Sequence, residues 1–329
     1  MKSAMICGLI WGAVMLPAFA QAPAPAQPVA CNRDCLDGYV DRYLDAMLAH
    51  KVSDDLFARD TKLTENGVRL PLGTEGLWFR MSGKGTYKFY VPDVETQQVA
   101  FFGTVREKER NEMLPVALVL RLKIVDRHIT EVEQLVIRPE GGLTNNGGHA
   151  PRPVSTAERV EKMGAPNPIF AEVIPQARRP SREELIRTAN YYFSGLQHND
   201  GKGYYPFTDD CDRYENGNHA TNVAMRNPET GKTEVMGCKK QFEVALKNVV
   251  SRVRDRRFVV VDRERGIVFA FTFFDHEQIN WTWQLGELFK IQDGKIRRIE
   301  AIFQRAPYGI NSGWSTYEQG RSDQPQIIR

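Results

Sequence analysis

Little in this sequence suggests a dedicated nucleotide or nucleic-acid site. The nearest approach to a phosphate loop is Ser82-Gly83-Lys84, but Trp78 stands five residues before Gly83, where such a loop requires glycine. There is no dinucleotide fingerprint and no Gly-x-Ser-x-Gly nucleophile turn. The six histidines are scattered without paired ligand spacing, which argues against a dedicated metal site. No cofactor is therefore expected. Charge of one sign is also lacking: 44 basic residues stand against 41 acidic ones, a formal charge of +3. No Lys/Arg run forms a stripe and no aromatics alternate with basic residues, so nucleic acid is not an expected partner.

Long apolar runs are missing apart from one. It extends from about Ala4 to Leu16 behind Met1-Lys2, is closed by Pro17, and is followed by Ala18-Phe19-Ala20. A short basic start, an apolar core and a small-x-small pattern read as a secretory signal over residues 1–20. The alternative, a membrane anchor, needs roughly 20 apolar residues, and this run is shorter. Export to the periplasm or outside the cell is expected, with no membrane contact once the signal is removed. Loss of Lys2 lowers the charge to +2. Residues 21–30, rich in Pro and Ala, read as an extended lead-in.

Cysteine is scarce as well. Of five, Cys7 lies in the signal, leaving Cys31, Cys35, Cys211 and Cys238. An even count in an exported chain favours disulfides. Three connectivities are possible, and proximity favours Cys31–Cys35 with Cys211–Cys238. The rival is a zinc site of four thiolates, but neither pair has the two-residue spacing of a zinc knuckle.

What is present is a pattern that occurs twice. Leu36, Tyr39, Val40, Tyr43, Leu44, Met47 and Leu48 line one face of a helix, with Asp34 as its expected N-cap. Strand-like runs follow over 87–91, 99–105, 116–125 and 129–137. Further along, Ser181 and Glu184 form a capping box ahead of a helix carrying Leu185, Ala189, Tyr192, Phe193 and Leu196. Asp60, Glu65, Asn66 and Gly67 recur 150 residues later as Asp210, Glu215, Asn216 and Gly217. Phe89-Tyr-Val-Pro-Asp93 answers Phe258-Val-Val-Val-Asp262, and Ile129-Thr-Glu-Val-Glu133 answers Ile296-Arg-Arg-Ile-Glu300. The second copy carries about 19 extra residues after Gly217. A further helix is expected through Phe242, Ala245, Leu246, Val249, Val250 and Val253, and a short one within 155–163.

These features predict an α+β chain. The first domain spans 31–138, a linker 139–180, the second domain 181–314, and a tail 315–329. A long amphipathic helix, a shorter helix, and strands ending in Asp293-Gly-Lys-Ile-Arg-Arg-Ile-Glu300 resemble the nuclear transport factor 2-like superfamily, which includes SnoaL-like cyclases and ketosteroid isomerases. The stretches Pro206–Gly217 and Val260–His276 look like an uncharacterised secreted family of that superfamily with two such units. The resemblance runs from Cys31 to Trp314. It implies two tandem cone-shaped domains, each with N-terminal helices on a curved, mainly antiparallel sheet and a pocket at the open end. Because such cones dimerise through the sheet, it also implies an intramolecular pseudo-dimer in a monomer, or a homodimer.

Chemistry is expected in the second copy. In Asp209–Asn216, an extended chain puts Arg213 and Glu215 on one face and Tyr214 and Asn216 on the other. A carboxylate in an apolar pocket can take a proton near neutral pH, and an Arg can hold a developing negative oxygen. Asp210 or Glu215 is the candidate base, Arg213 the stabiliser, and His276, at the end of the strand from Ile267, the partner acid. Tyr192, Asn216, His219, Trp283, Glu287 and Glu300 are candidate binding residues. Glu287 shares its strand face with Trp281, Trp283 and Leu285. His219 and the inserted stretch are a candidate lid. The structural readings remain open beside these: Asp and Asn cap turns, Asp275-His276 suits a strand exit, and Glu215 and Asn216 also recur in the first copy, where Leu63 replaces Arg213. The expected function is an exported small-molecule enzyme using cofactor-free acid–base chemistry of isomerase, dehydratase, cyclase or lyase type. The alternative is a non-catalytic exported ligand-binding or interaction protein.

Overall fold

The computed structural model describes residues 30–139 and 153–328; the expected signal, most of the lead-in and part of the linker lie outside the described residues. Helix α1 (Arg33–Leu48) buries Leu36, Tyr39, Val40, Tyr43, Leu44 and Met47, the apolar face read from the spacing. Its N-cap is Asn32 rather than Asp34. The Asn32 side chain accepts from the Cys35 amide at 2.9 Å, and Asp34 sits instead in the first turn, where its charge suits the helix dipole.

Strands β1 (Phe57–Glu65) and β2 (Val68–Leu70) and the short helix α2 (Leu77–Arg80) follow. Then comes a meander of β3 (Met81–Asp93), β4 (Gln98–Glu109), β5 (Glu112–Val125) and β6 (His128–Ile137). Together they form a six-stranded sheet in the order β2-β1-β6-β5-β4-β3, antiparallel except for β1 with β6.

Residues 153–180 are more than a connection. Helix α3 (Thr156–Lys162), capped by Ser155 and Glu158, buries Ala157 and Val160, and the 3-10 turn Pro168–Ala171 buries Phe170.

Helix α4 (Arg182–Gln197) starts at the capping box of Ser181 and Glu184. It leads to β7 (Phe207–Glu215), β8 (Asn218–His219), the hairpin β9 (Val223–Arg226) and β10 (Thr233–Met236), and α5 (Cys238–Val244). A second meander comprises β11 (Arg252–Asp262), β12 (Ile267–His276), β13 (Trp281–Gln292) and β14 (Lys295–Pro307), and the chain closes with α6 (Tyr317–Arg321) and β15 (Pro325–Ile327). The resulting seven-stranded sheet runs β15-β11-β12-β13-β14-β7-β8, with β7–β14 and β11–β15 parallel.

Helix α5 is shorter than its apolar spacing predicts. It ends at Val244, Asn248 takes a left-handed φ of 56°, and Val253 lies in β11. The β-branched pair Val249-Val250 favours extended backbone, and a residue in the left-handed region cannot continue a right-handed helix.

The molecule is thus α+β with curved, mixed sheets. Register shifts between Lys84 and Lys88 and between Arg254 and Arg257 bend the two meanders. α1 covers one face of the first sheet and α4 one face of the second. The two remaining faces pack on each other, with Phe102 edge-on to Phe269 at 5.5 Å. Gly286 sits at this contact: a Cβ there would meet Val119 Cγ1 at 2.7 Å, so the Val119 side chain packs directly on the Gly286 backbone. Two ion pairs cross the contact reciprocally. Arg33 at the start of α1 binds Asp262 at the end of β11 at 2.6 Å, and Arg182 at the start of α4 binds Asp93 at the end of β3 at 2.6 Å. The disulfides are Cys31–Cys35 and Cys211–Cys238. Among the described residues, no helix is long and apolar enough to cross a membrane.

Candidate functional site

A cavity of about 150 Å³ opens between α4 and the concave face of the second sheet. Alternation along each strand supplies its walls: Arg213 and Glu215 from β7, Trp283, Leu285 and Glu287 from β13, and Ala301 and Phe303 from β14. Helix α4 contributes Tyr192 and Leu196. The irregular stretch after α5 contributes Leu246, Val249 and Val250, and the end of β12 contributes Phe274 and His276.

Polarity is concentrated at the floor, where Tyr192, Arg213 and Glu287 are buried. Arg213 Nε stands 3.0 Å from Glu215 Oε1, yet this N–H lacks an aligned hydrogen bond, so the contact is an ion pair without a directed bond. Arg213 Nη2 donates to Gln241 Oε1 at 2.7 Å. Burial opposes the Arg213 charge, but Tyr192, Glu215 and Glu287 outweigh it and hold the guanidinium protonated.

Glu287 stands out for its unpaired oxygen. Its Oε2 is buried with no hydrogen-bond partner. Burial, reinforced by the negative charge of Glu215, pushes its carboxyl up to about 8; Arg213 and the hydrogen bond to Tyr192 pull the other way. The carboxyl is therefore largely protonated at neutral pH. Burial, with Glu287 beside it, also holds the Tyr192 hydroxyl well above its ordinary range. The cavity so presents an acid, a phenol and a cation within apolar walls. Such a set can hold an acceptor oxygen and exchange a proton with what binds there.

His276 lies half-buried at the rim, with Nδ1 3.1 Å from the Phe274 carbonyl, and burial lowers its pKa. Trp283 forms the adjacent wall, 5.8 Å from the His276 ring, and its indole N–H has no partner. Tyr192, Arg213, Glu215, His276, Trp283 and Glu287 thus meet in one cavity.

Four other candidates do not. Asp210 is on the opposite face of β7 from Arg213, exposed, and paired with Arg297 at 3.0 Å, so it cannot be the cavity's base. Asn216 is structural: at a φ of 50° it holds β7 to β14 by bonds to both backbone groups of Phe303, as Asn66 does with Val136. His219 turns outward, 2.5 Å from Asp212 and stacked on Tyr214. Glu300 faces the inter-sheet layer, bound to Arg298 at 2.7 Å and within 3.5 Å of the Tyr87 hydroxyl. The inserted hairpin lines none of the cavity, so it is no lid. The residue that sequence reading missed is Gln241. A lone amide beside Phe242 carries no signal until its burial and its Arg213 partner are known.

The first half shows the same place closed. Its β5–β6 pairing sets Leu120 opposite Gln134, as β13–β14 sets Glu287 opposite Ala301. Leu63 takes the place of Arg213. Trp78 of α2 is fully buried and donates to Tyr43 Oη at 3.0 Å, and Tyr43 donates to Gln134 Oε1 at 2.9 Å. Glu65, the counterpart of Glu215, is bonded by Leu77 N, Gln134 and Arg138. Trp78, Tyr43, Gln134 and Glu65 are thus all hydrogen-bonded, and the indole occupies the interior.

The model of a family described as a domain of unknown function, DUF8021, is similar to residues 178–303, which run from just before α4 into β14. No curated protein matches the chain. Among solved structures, a de novo designed protein with a curved β-sheet is similar at 17% identity over 38% of this chain and 88% of its own, with a TM-score of 0.26.

Proposed function

We propose that this chain is an exported protein of two tandem cone-like units of the nuclear transport factor 2-like type, joined as an internal pseudo-dimer. We further propose that the second unit is a cofactor-free acid–base enzyme for a small organic molecule. The observation that carries the reading is Glu287: a buried carboxyl with an unpartnered oxygen, beside a buried cation, in a mainly apolar cavity. Unpaired buried polar groups are rare in folded proteins and cost free energy, so one aimed into a cavity points to a ligand that pairs with it. Glu287 gives or takes the proton. Arg213 and Tyr192 hold the oxygen on which negative charge develops, Glu215 keeps Arg213 charged, and His276, whose charged form burial disfavours, is the partner base at the rim.

The cavity sets the substrate's scale. A cavity of about 150 Å³ has room for roughly one six-membered ring, with substituents reaching the open rim. Charge also selects: Arg213 and Glu215 offset each other and Glu287 is mostly neutral. The preferred substrate is an uncharged, one-ring molecule bearing an acceptor oxygen. Export is supported by the two disulfides, which persist in oxidising compartments.

The test uses a panel of one-ring ketones, enols and phenols, with Trp283 fluorescence for binding and mass-neutral or water-loss products for turnover. Turnover that falls at least about a hundredfold in Glu287→Gln while binding persists supports the reading, as expected of a lost general acid–base group. Undiminished turnover in that variant would refute it. Binding without turnover would leave a ligand carrier instead.

A further inference from the structure

Gln241 is buried at the centre of a network that the first half lacks. Its Oε1 accepts from Arg213, while its Nε2 donates to the Ala220 carbonyl at 2.7 Å and reaches the Met225 sulfur at 3.2 Å. Ala220 and Met225 belong to the stretch inserted between β7 and α5. The same stretch holds the Arg213 backbone: its amide donates to Thr221 Oγ1 at 2.8 Å, and Asn222 donates to the Cys211 carbonyl at 3.0 Å. The Cys211–Cys238 disulfide clamps the base of the insertion, joining the strand that carries Arg213 to the helix that carries Gln241.

The chemistry explains why an amide stands there. A guanidinium has five N–H donors and closes onto a carboxylate when nothing else engages it. Beside Arg213 the carboxylate in reach is that of Glu215, at the cavity edge. A neutral amide acceptor on the far side of the guanidinium holds it without cancelling its charge, leaving that charge to act on the cavity floor.

We propose that the inserted hairpin, clamped by Cys211–Cys238, serves to aim Arg213 into the cavity through Gln241, which is a positioning residue. The proposal rests on the reading of Arg213 as the cation of the site. It makes the insertion the counterpart of Trp78: one device holds a cation at the floor of a cavity, the other fills the equivalent space.

The experiment follows the titration of the Glu287 side-chain carboxyl by carbon NMR on the full chain and needs no ligand. Arg213 lowers the Glu287 midpoint. Gln241→Met is expected to raise it by about half a pH unit, a threefold change in ionisation, as the guanidinium, released by the amide, turns its ion pair with Glu215 into a directed bond, away from Glu287. The same substitution in an Arg213→Met background is expected to change nothing. The pair Cys211→Ser with Cys238→Ser, which leaves Gln241 in place, is expected to raise the midpoint as Gln241→Met does, and gives a second route if that variant fails to fold. No shift, a downward shift, or a shift that persists without Arg213 overturns the proposal. Loss of turnover with this coupling intact would fault the proposed function and leave the positioning role standing.

Discussion

Tyr43 and Tyr192 stand at the same position of α1 and α4, both on the buried face, but their hydroxyls meet opposite surroundings. Tyr43 accepts from Trp78 and donates to Gln134, so both of its hydrogen-bonding roles are used inside the protein. Tyr192 faces Glu287 and Arg213 at the floor of an open cavity. One helix position serves packing in the first half and lines a cavity in the second.

Glu287 ties stability to pH. Its folded pKa of about 8 lies above its ordinary value of 4.5. The folded state therefore holds a proton that the unfolded chain has released, and the wild type loses stability as pH rises between those values. The loss is at most about 1.4 kcal/mol per pH unit across the window. Glu287→Gln removes this slope. Urea melts at pH 4.5 and pH 8 should show the variant gaining on the wild type by a few kcal/mol at the higher pH. Parallel stability curves for the two proteins would contradict this.

Arg213 and Glu287 should couple. Replacing each by the residue at the equivalent place in the first half gives Arg213→Leu and Glu287→Leu. Arg213→Leu leaves the buried Glu287 carboxyl without its neighbouring cation and the Gln241 amide without its donor, and is expected to cost about 1–3 kcal/mol. The double variant should recover much of that loss, giving a non-additive term of about 1–3 kcal/mol in a double-mutant cycle by chemical denaturation. Additive costs would mean that the two groups do not share one environment.

Trp78 is the plug of the first half, so Trp78→Ala should open it. The expected cost is about 3–5 kcal/mol, the usual range for a buried large aromatic cut to alanine. Benzene or indole should then raise the melting temperature of the variant and leave the wild type unaffected through this site. A variant that shows neither loss nor rescue would mean that the indole does not fill the interior.

The reciprocal pairs across the sheets should differ in weight. Arg182 and Asp93 are almost wholly buried, whereas the Arg33 side chain keeps 21% of its exposure. Arg182→Ala leaves a buried carboxylate without its cation and is expected to cost about 3–5 kcal/mol. Arg33→Ala also strands a buried carboxylate, that of Asp262, but on the more open side of the contact, and is expected to cost less, about 1–3 kcal/mol. Equal losses in urea melts would remove the argument from burial.

The periodic features were legible in advance because they are local. The buried face of α1, the capping box at Ser181, the strand meanders and the pairing of neighbouring cysteines all follow from spacing along the chain. Where local rules failed, a competing local rule was overlooked: Val249-Val250 and Asn248 end α5 early, and Asn32 caps α1 better than Asp34 does.

The site divides differently. Alternation by itself placed Arg213 with Glu215, and Glu287 with Trp283, because successive strand residues point to opposite faces. It could not say which face opens on a cavity. Glu287 and Glu300 read alike as carboxylates on inward-facing strands, yet one lies under α4 and the other against the first sheet. Asp210 looked as well placed as Glu215 until the sheet turned it to solvent. Gln241 had no signal of its own. The sequence by itself determined the elements and which side chains share a face. Only the tertiary structure decided which face meets a helix, a second sheet or empty space, because that choice depends on contacts between segments more than a hundred residues apart.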